Sequence, residues 1–291
     1  MTDSLDLLHG LNPAQRDAAA HLHGPILVLA GAGSGKTRVL TARIANLIAA
    51  HGVPPERIFA VTFTNKAAGE MKQRIGALLH RDPAGLWIGT FHSLSARLLR
   101  REAERLGFGR NFTIYDQDDS LSLIKRLLDE RNHPVKLFPP RVIQGIISTA
   151  KNRLQAAERS APGDPTIRVA ADVYVAMQSA LHTANAMDFD DLMLHPLALF
   201  RDHPDVLARW QRRFDFLLVD EFQDTNRAQY QLIALLGGGH RNVFAVGDDD
   251  QSIYGWRGAD IGNMKSLQTD FGTARLVKLE ENYRSTRQIL D

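Results

Sequence analysis

A glycine-rich turn between an apolar run and a helix-like segment constrains this chain more than any other feature. Residues 26–30 read Ile-Leu-Val-Leu-Ala, and residues 31–37 read Gly-Ala-Gly-Ser-Gly-Lys-Thr. A buried strand that ends in such a turn exposes backbone N–H groups, and the following helix adds the positive end of its dipole. The pattern predicts a phosphate-binding loop, in which Lys36 reaches the outer phosphates and the Thr37 hydroxyl holds magnesium.

The strict form of this pattern has a glycine five positions before Gly35, where this chain has Ala30. A glycine-rich strand–helix turn that binds no ligand is therefore the alternative interpretation. The apolar run before the turn and the helical spacing after it supply the context that a phosphate loop needs. We expect the chain to bind a nucleoside triphosphate.

Composition narrows the class of protein. The chain has 291 residues, 44% of them hydrophobic, which is enough for one large or two medium domains. A formal charge of +2 neither requires nor excludes nucleic-acid binding, because a protein with little net charge can still have a local basic groove. The absence of cysteine excludes disulfides and cysteine-based zinc sites. The first residues lack a signal-peptide pattern and no apolar run approaches a membrane span, so we expect a cytoplasmic protein with no membrane partner.

Strand-like and helix-like segments alternate in the first and last parts of the chain. Strands are predicted at 26–30, 58–63, 86–89, 216–219 and 243–246, with an amphipathic helix at 37–50 and further helices at 65–79 and 93–106. This alternation predicts an α/β fold, a parallel sheet with helices on both faces. Between the first and last parts of the chain, apolar residues recur mainly at helical spacing. We therefore predict a core in two parts, 1–110 and 201–291, interrupted by an all-helical insertion at 111–200.

A second apolar run, residues 216–219, ends in the acids Asp220 and Glu221. A triphosphatase needs an acid at a strand end beside the phosphate loop to hold magnesium, and Asp220 fits that role. Glu221 could polarise the attacking water. Solvated acids at an ordinary strand end are the alternative, and the phosphate loop elsewhere in the chain favours the catalytic interpretation.

Polar clusters with embedded aromatic residues follow three predicted strands, at 60–68, 89–93 and 247–260. They are expected at the carboxyl edge of the sheet, where α/β ligand sites form. Aromatic rings there could stack on unpaired bases, and Lys66 and Arg257 could contact phosphates. Burial in the core is the competing interpretation, favoured for Phe63, Phe91 and Tyr254 on the residues alone.

Eight motifs taken together identify a family. The chain resembles the UvrD/PcrA/Rep family of superfamily 1 DNA helicases in order and over nearly its full length. The motifs are LNPAQRDA (11–18), AGAGSGKTR (30–38), AVTFTNKAAGEMKQR (60–74), GTFHS (89–93), MDFDDL (187–192), LLVDEFQDTNRAQ (217–229), VGDDDQSIYGWRGAD (246–260) and LEENYRS (279–285).

The resemblance implies a RecA-like core that binds ATP and Mg²⁺. Gln15 would read the adenine edge, and Arg38 and Tyr283 would sandwich the adenine ring. The implied nucleotide-binding residues are Gln15, Gly31, Ala32, Gly33, Ser34, Gly35, Lys36, Thr37, Arg38, Tyr283 and Arg284. Thr37 and Asp220 would hold the metal, and the implied catalytic group is Lys36, Glu221, Gln251 and Arg284.

The resemblance also implies a path for single-stranded DNA and for junctions between single and double strands. Gln251 would report the γ-phosphate to the DNA-binding loop that begins at Tyr254. The implied DNA-binding residues are Phe63, Asn65, Lys66, His92, Phe189, Tyr254, Trp256 and Arg257.

Members of this family carry a second RecA-like core domain, whereas this sequence ends at Asp291 inside a helical pattern. We therefore expect the N-terminal half of a 3′-to-5′ helicase or translocase, monomeric by itself, which needs the second core for efficient hydrolysis and unwinding. One alternative is a non-motor module that binds single-stranded DNA under nucleotide control. Another is a phosphate-loop kinase of small molecules, which leaves Phe63 and Trp256 unexplained.

Overall fold

A computed structural model of the chain describes residues 7–154, 163–248, 262–272 and 274–283. The chain divides into two compact units. Unit 1 comprises Met1–Leu94, Pro204–Thr225 and Ile233–Asp291, and unit 2 comprises Ser95–His203 and Asn226–Leu232.

The helices and strands of the described residues alternate in the first and last parts of the chain, and helices predominate between them. In chain order they are α1 (Pro13–Ala20), β1 (Ile26–Ala30), α2 (Lys36–Ala49), β2 (Ile58–Thr62), α3 (Asn65–Leu79), β3 (Trp87–Thr90), α4 (Phe91–Glu102), β4 (Thr113–Tyr115), α5 (Gln117–Glu130), α6 (Pro140–Arg153), α7 (Pro165–Thr183), β5 (Ala186–Asp188), α8 (Asp191–Asp202), α9 (Pro204–Arg213), β6 (Phe216–Val219), α10 (Arg227–Gly237), β7 (Val243–Gly247), α11 (Gly262–Asp270) and β8 (Arg275–Leu279). None of the helices in these ranges combines the length and apolar character that crossing a membrane requires.

Unit 1 is built on a six-stranded sheet in the order β3-β2-β6-β7-β1-β8. Every neighbouring pair in it is parallel. Because parallel strands end at one edge, the turns after β1, β2, β3, β6 and β7 share that edge of the sheet. The order places β7 between β6, which leads to the acids, and β1, which leads to the phosphate loop.

Helix α2 anchors the phosphate loop in the core of unit 1. Residues 39–48 of this helix are all buried. The helix was expected to have a polar face, but burial extends around it and includes Arg43, whose guanidinium lies 4.8 Å from the centre of the Phe244 ring. Burial lowers the pKa of Arg43 to about 9. A helix surrounded by apolar neighbours holds its first turn firmly.

Unit 2 is mainly helical and also contains a small sheet. Helices α5, α6 and α7 share an apolar core that includes Ile124, Ile143 and Val173. Strands β4 and β5 pair in parallel, with Ile114 opposite Met187. Strands of three residues are too short to show an alternating pattern, which is why the sequence predicted an insertion of helices only.

Candidate functional site

The phosphate loop occupies the turn between β1 and α2. Gly33 and Gly35 have φ angles of 75° and 89°, which glycine adopts without strain. The Ser34 backbone N–H and hydroxyl both donate to the Gly31 carbonyl, at 3.2 and 2.7 Å, and close the turn. Gly35 caps α2 without any side-chain hydrogen bond. The first N–H groups of the helix therefore remain available to an anion.

Gln15 supports this loop from the side. Its Nε2 donates to the Ser34 carbonyl at 2.8 Å, and its Oε1 accepts from the Asn12 N–H at 3.1 Å. The side chain is buried, and a Cβ on Gly35 would lie only 2.7 Å from its Nε2. One N–H and one lone pair of the amide remain for a ligand. That Gln15 reads adenine stays a prediction.

The two residues expected to enclose adenine both contact the segment before α1. Arg38 Nη2 donates to the Gly10 carbonyl at 2.9 Å. The Tyr283 hydroxyl accepts from Asn12 Nδ2 at 2.9 Å, and the Tyr283 backbone N–H donates to the Gly33 carbonyl at 3.0 Å. The Tyr283 side chain is 55% exposed, so its ring is accessible to a stacking partner.

The acids follow β6 at the same edge of the sheet. Asp220 is buried and accepts hydrogen bonds from Thr62 Oγ1 at 3.3 Å and from the Glu221 N–H at 3.1 Å. Burial, and then the charge of Glu221, raise the pKa of Asp220 to about 6. Glu221 has a φ of 48°, a left-handed conformation that is uncommon for a residue with a Cβ.

Lys36 faces two carboxylates. Its Nζ lies 3.4 Å from Glu221 Oε2 and 3.6 Å from Asp248 Oδ2. Its side chain is 11% exposed, and within the described residues Nζ has no hydrogen-bond partner. Asp248 was absent from the sequence-based site. It follows β7 and lies in the 247–260 cluster, which was expected at the carboxyl edge of the sheet but in which no role was assigned to Asp248.

Gln223 is a second residue that the sequence analysis missed. Its Nε2 donates to Glu221 Oε2 at 2.9 Å, and its Oε1 accepts from the Asp248 N–H at 3.0 Å. The side chain is only 2% exposed. Its position two residues after Glu221 is the one local signal available, but contact with β7 requires knowledge of the strand order.

These residues fit a nucleoside triphosphate with a divalent cation. In the part of the chain that the structure describes, the helix start has no side-chain cap and the Lys36 ammonium has no hydrogen-bond acceptor, so phosphate oxygens would satisfy both. Asp220 is a buried carboxylate whose charge a metal would stabilise. Thr37 and Asp220 are the residues that could hold Mg²⁺, which prefers few protein ligands alongside phosphate oxygens.

Four residues of the expected DNA path follow β2 and β3 in unit 1. Phe63 is half-buried, and its ring centre lies 6.3 Å from that of the buried Phe91 in an edge-to-face arrangement. Asn65 and Lys66 are exposed in the first turn of α3, and His92 is half-buried in α4. The turn after β2 and the start of α3 thus place an aromatic ring and a cation at one edge of the sheet, and His92 follows the neighbouring strand β3. DNA contact by these residues stays a prediction.

Phe189 lies in unit 2, on the turn between β5 and α8, and its side chain is 48% exposed. A buried ion cluster holds that turn. Lys151 Nζ lies 2.6 Å from Asp188 Oδ2 and 2.8 Å from Asp191 Oδ1. The two acids also accept each other's backbone N–H, at 3.1 and 2.8 Å. The cluster therefore fixes both ends of the turn that exposes Phe189.

Charge and burial compete in this cluster. Burial, followed by the Asp191 charge, raises the pKa of Asp188 to about 6. Burial acts to raise the pKa of Asp191 as well, but the Lys151 ammonium outweighs it and holds that pKa below its usual value. Burial acts to lower the pKa of Lys151, and the two carboxylates together raise it. At neutral pH Lys151 is therefore charged.

Five predicted site residues lie outside the described part of the chain. They are Gln251, Tyr254, Trp256, Arg257 and Arg284. Their assignment to the nucleotide and to DNA remains a prediction from the sequence motifs.

Comparison with known proteins decides the family. Residues 11–272 match the family described as the UvrD/REP helicase N-terminal domain. This chain belongs to the UvrD/REP helicase family. The match confirms the resemblance drawn from the eight motifs, and the parallel sheet confirms the α/β, RecA-like fold class expected of the UvrD/REP N-terminal domain.

Curated UvrD/REP relatives are similar over almost all of the chain. It is 50% identical over 289 residues to a protein of Bacillus subtilis named ATP-dependent DNA helicase PcrA, and the match covers 99% of the chain. Proteins of the same name from Leuconostoc citreum and Staphylococcus epidermidis are 48% and 47% identical, each matched by 98% of the chain. The chain spans 39%, 38% and 39% of the length of these three relatives.

Proposed function

We propose that the chain is the N-terminal half of an ATP-dependent 3′-to-5′ DNA helicase or translocase. The observation that carries the proposal is the buried Lys36 ammonium at the end of the phosphate loop, directed at the acids that follow β6 and β7. The UvrD/REP family and the printed names of the relatives support ATP and DNA as its substrates. The polarity comes from the family resemblance alone.

The phosphate loop would bind the triphosphate through backbone N–H groups, and Lys36 would exchange its two carboxylates for phosphate oxygens. Bound Mg²⁺, held by Thr37 and Asp220, would supply positive charge to the phosphates. Glu221 would orient the attacking water and accept its proton. Lys36 would offset negative charge as the terminal phosphate leaves.

Single-stranded DNA, including junctions with duplex, is the proposed partner. Bases could stack on the exposed Phe189 ring and on the half-buried Phe63 ring, and Lys66 offers a cation to the phosphates. Stacking uses the ring face of any base, so binding would tolerate changes of sequence. The proposal also includes a monomeric state for these 291 residues and a cytoplasmic location.

Hydrolysis by these residues alone would be slow. The family resemblance assigns a further arginine to the second core domain, and an arginine supplied across the cleft contributes roughly 10³–10⁵ to the rate of phosphoryl transfer. Glu221→Gln is expected to keep Mg–ATP binding and to lower the residual rate by on the order of 10²–10⁴.

The test measures binding and turnover on one preparation. Anisotropy of labelled oligonucleotides is expected to show a preference for single strands over duplex, with affinity that falls steeply as salt rises. Phosphate release would be slow, and Glu221→Gln would abolish it. Equal turnover by Glu221→Gln would contradict the assignment of the base. Nucleotide and DNA binding without any turnover, even in the presence of the second core domain, would favour the nucleotide-gated binding module.

A further inference from the structure

Gln223 joins the two acidic turns of the candidate site. Its amide donates through Nε2 to Glu221 Oε2 at 2.9 Å and accepts through Oε1 from the Asp248 N–H at 3.0 Å. We infer that Gln223 is a positioning residue that holds the Glu221 carboxylate in the orientation its role as base requires. The inference rests on the proposed function, because it assigns Gln223 a part in the hydrolysis that Glu221 would promote.

The geometry allows the Gln223 amide one orientation. A backbone N–H needs an acceptor and a carboxylate needs a donor, so exchanging the amide oxygen and nitrogen would break both contacts. Nε2 also lies 3.4 Å from Asp224 Oδ2, a second acceptor on the same side. The side chain is 2% exposed, so water does not compete for these groups.

Gly247 makes room for this arrangement. A Cβ at this position would lie 2.6 Å from Gln223 Oε1 and 3.2 Å from the Gln223 backbone nitrogen. Any larger residue would therefore displace the amide from the Asp248 N–H. Gly247, the last residue of β7, therefore lies where the Gln223 side chain extends from the turn after β6 to the Asp248 N–H.

Glu221 needs such support. Its backbone is left-handed, with a φ of 48°, and its side chain is 36% exposed. Among the described residues, the other side-chain contact to its carboxylate is the Lys36 ammonium at 3.4 Å, which phosphate would take over. Gln223 is thus the neighbour that can hold Glu221 while Lys36 is engaged elsewhere. Because Gln223 is anchored to the backbone N–H of Asp248, directly after β7, that hold does not depend on a second side chain.

Two variants separate positioning from a purely structural role. Gln223→Met keeps the length of the side chain and removes both hydrogen bonds. Gln223→Glu, when ionised, keeps an acceptor for the Asp248 N–H, cannot donate to Glu221 and adds a negative charge beside it. Gln211→Met is the matched control, since Gln211 donates to the Leu235 carbonyl at 2.8 Å in unit 1 without touching the acids.

The experiment compares the affinity for Mg–ATP with the affinity for Mg–ADP–aluminium fluoride, which imitates the transition state. The melting temperature and the kcat and KM of ATP hydrolysis are measured on the same variants. Both Gln223 variants are expected to bind Mg–ATP within about twofold of the parent chain. They are expected to lose on the order of 10- to 100-fold in affinity for the fluoride complex and in kcat, the effect of one hydrogen bond to a charged group. The control is expected to change none of these values.

A Gln223→Met variant with the affinities and kcat of the parent chain would overturn the inference, because neither hydrogen bond of Gln223 would then be needed. Equal losses for ATP and for the fluoride complex would also overturn it, since they would indicate a general loss of the site. Failure of the proposed function is recognised separately. In that case the parent chain would bind no Mg–ATP, or Glu221→Gln would hydrolyse ATP as fast as the parent chain.

Discussion

Replacing Lys151 with methionine tests how unit 2 holds the turn that exposes Phe189. The Lys151 side chain is 1% exposed and contacts Asp188 and Asp191 at 2.6 and 2.8 Å. Methionine fills a similar volume but leaves both carboxylates buried without a cation. Removing one partner from a buried ion pair costs about 3–5 kcal/mol in unfolding free energy, so a loss of that size is expected at neutral pH.

The loss is expected to depend on pH. In the parent chain the pKa of Asp188 is about 6, against 3.8 in the unfolded state. Without the Lys151 ammonium, the pKa values of both Asp188 and Asp191 are expected to rise further. A group whose pKa is raised on folding contributes stability below its unfolded pKa and loses it as pH rises through the folded pKa. Lys151→Met is therefore expected to be close to the parent chain near pH 5 and most destabilised near pH 8.

Urea denaturation at these two pH values, followed by far-UV circular dichroism, measures the effect. Circular dichroism is the suitable probe because residues 95–203 and 226–232 contain no tryptophan. Lys125→Met, on the exposed side of α5, is the control and is expected to lie within about 0.5 kcal/mol of the parent chain. A Lys151→Met variant as stable as the control at pH 8, or one that is more stable at pH 8 than at pH 5, would refute the reasoning.

Two further predictions concern the phosphate loop and the DNA path. Gly35→Ala is expected to weaken nucleotide binding and lower the melting temperature, because φ is 89° and the new Cβ would approach Gln15 Nε2 to 2.7 Å. Gly31→Ala should keep the parent's melting temperature, because no described residue other than its chain neighbours lies within 4 Å of the new Cβ; equal melting of both variants would count against the loop geometry. Phe189→Ala is expected to cost ~1–3 kcal/mol in single-strand binding with little change in melting temperature. Val175→Ala is its control, also exposed in unit 2, and equal DNA affinity of the two variants would remove Phe189 from the path.

Much of the α/β core could be predicted from the sequence because its signals are local. The strands at 26–30 and 216–219 and the helix at 65–79 have the same bounds in the structure as in the prediction. Each strand is a continuous apolar run, as expected for one buried on both faces. Strand β8 was missed because it is an edge strand with three exposed residues of five, so its sequence does not read as a buried run.

Contacts across the sheet could not be predicted in the same way. Gln223 and Asp248 meet because β6 and β7 are neighbours, and the sequence does not contain that order. The ion cluster around Lys151 is a similar case, since its acids lie 37 and 40 residues further along the chain. Burial of Arg43 in α2 contradicts the amphipathic pattern, because stacking on Phe244 provides a partner that the local sequence does not show.

The central claim is that the turn from β1 to α2 is a nucleotide site in which Lys36 supplies the main cation. Calorimetric titration of Mg–ATP into the parent chain and into Lys36→Ala tests it most directly, with circular dichroism to show that both are folded. The parent chain is expected to bind ATP more tightly than GTP. Folded Lys36→Ala is expected to show no measurable ATP binding, because the buried triphosphate would lose the cation closest to it. Equal ATP binding by a folded Lys36→Ala variant would contradict the account.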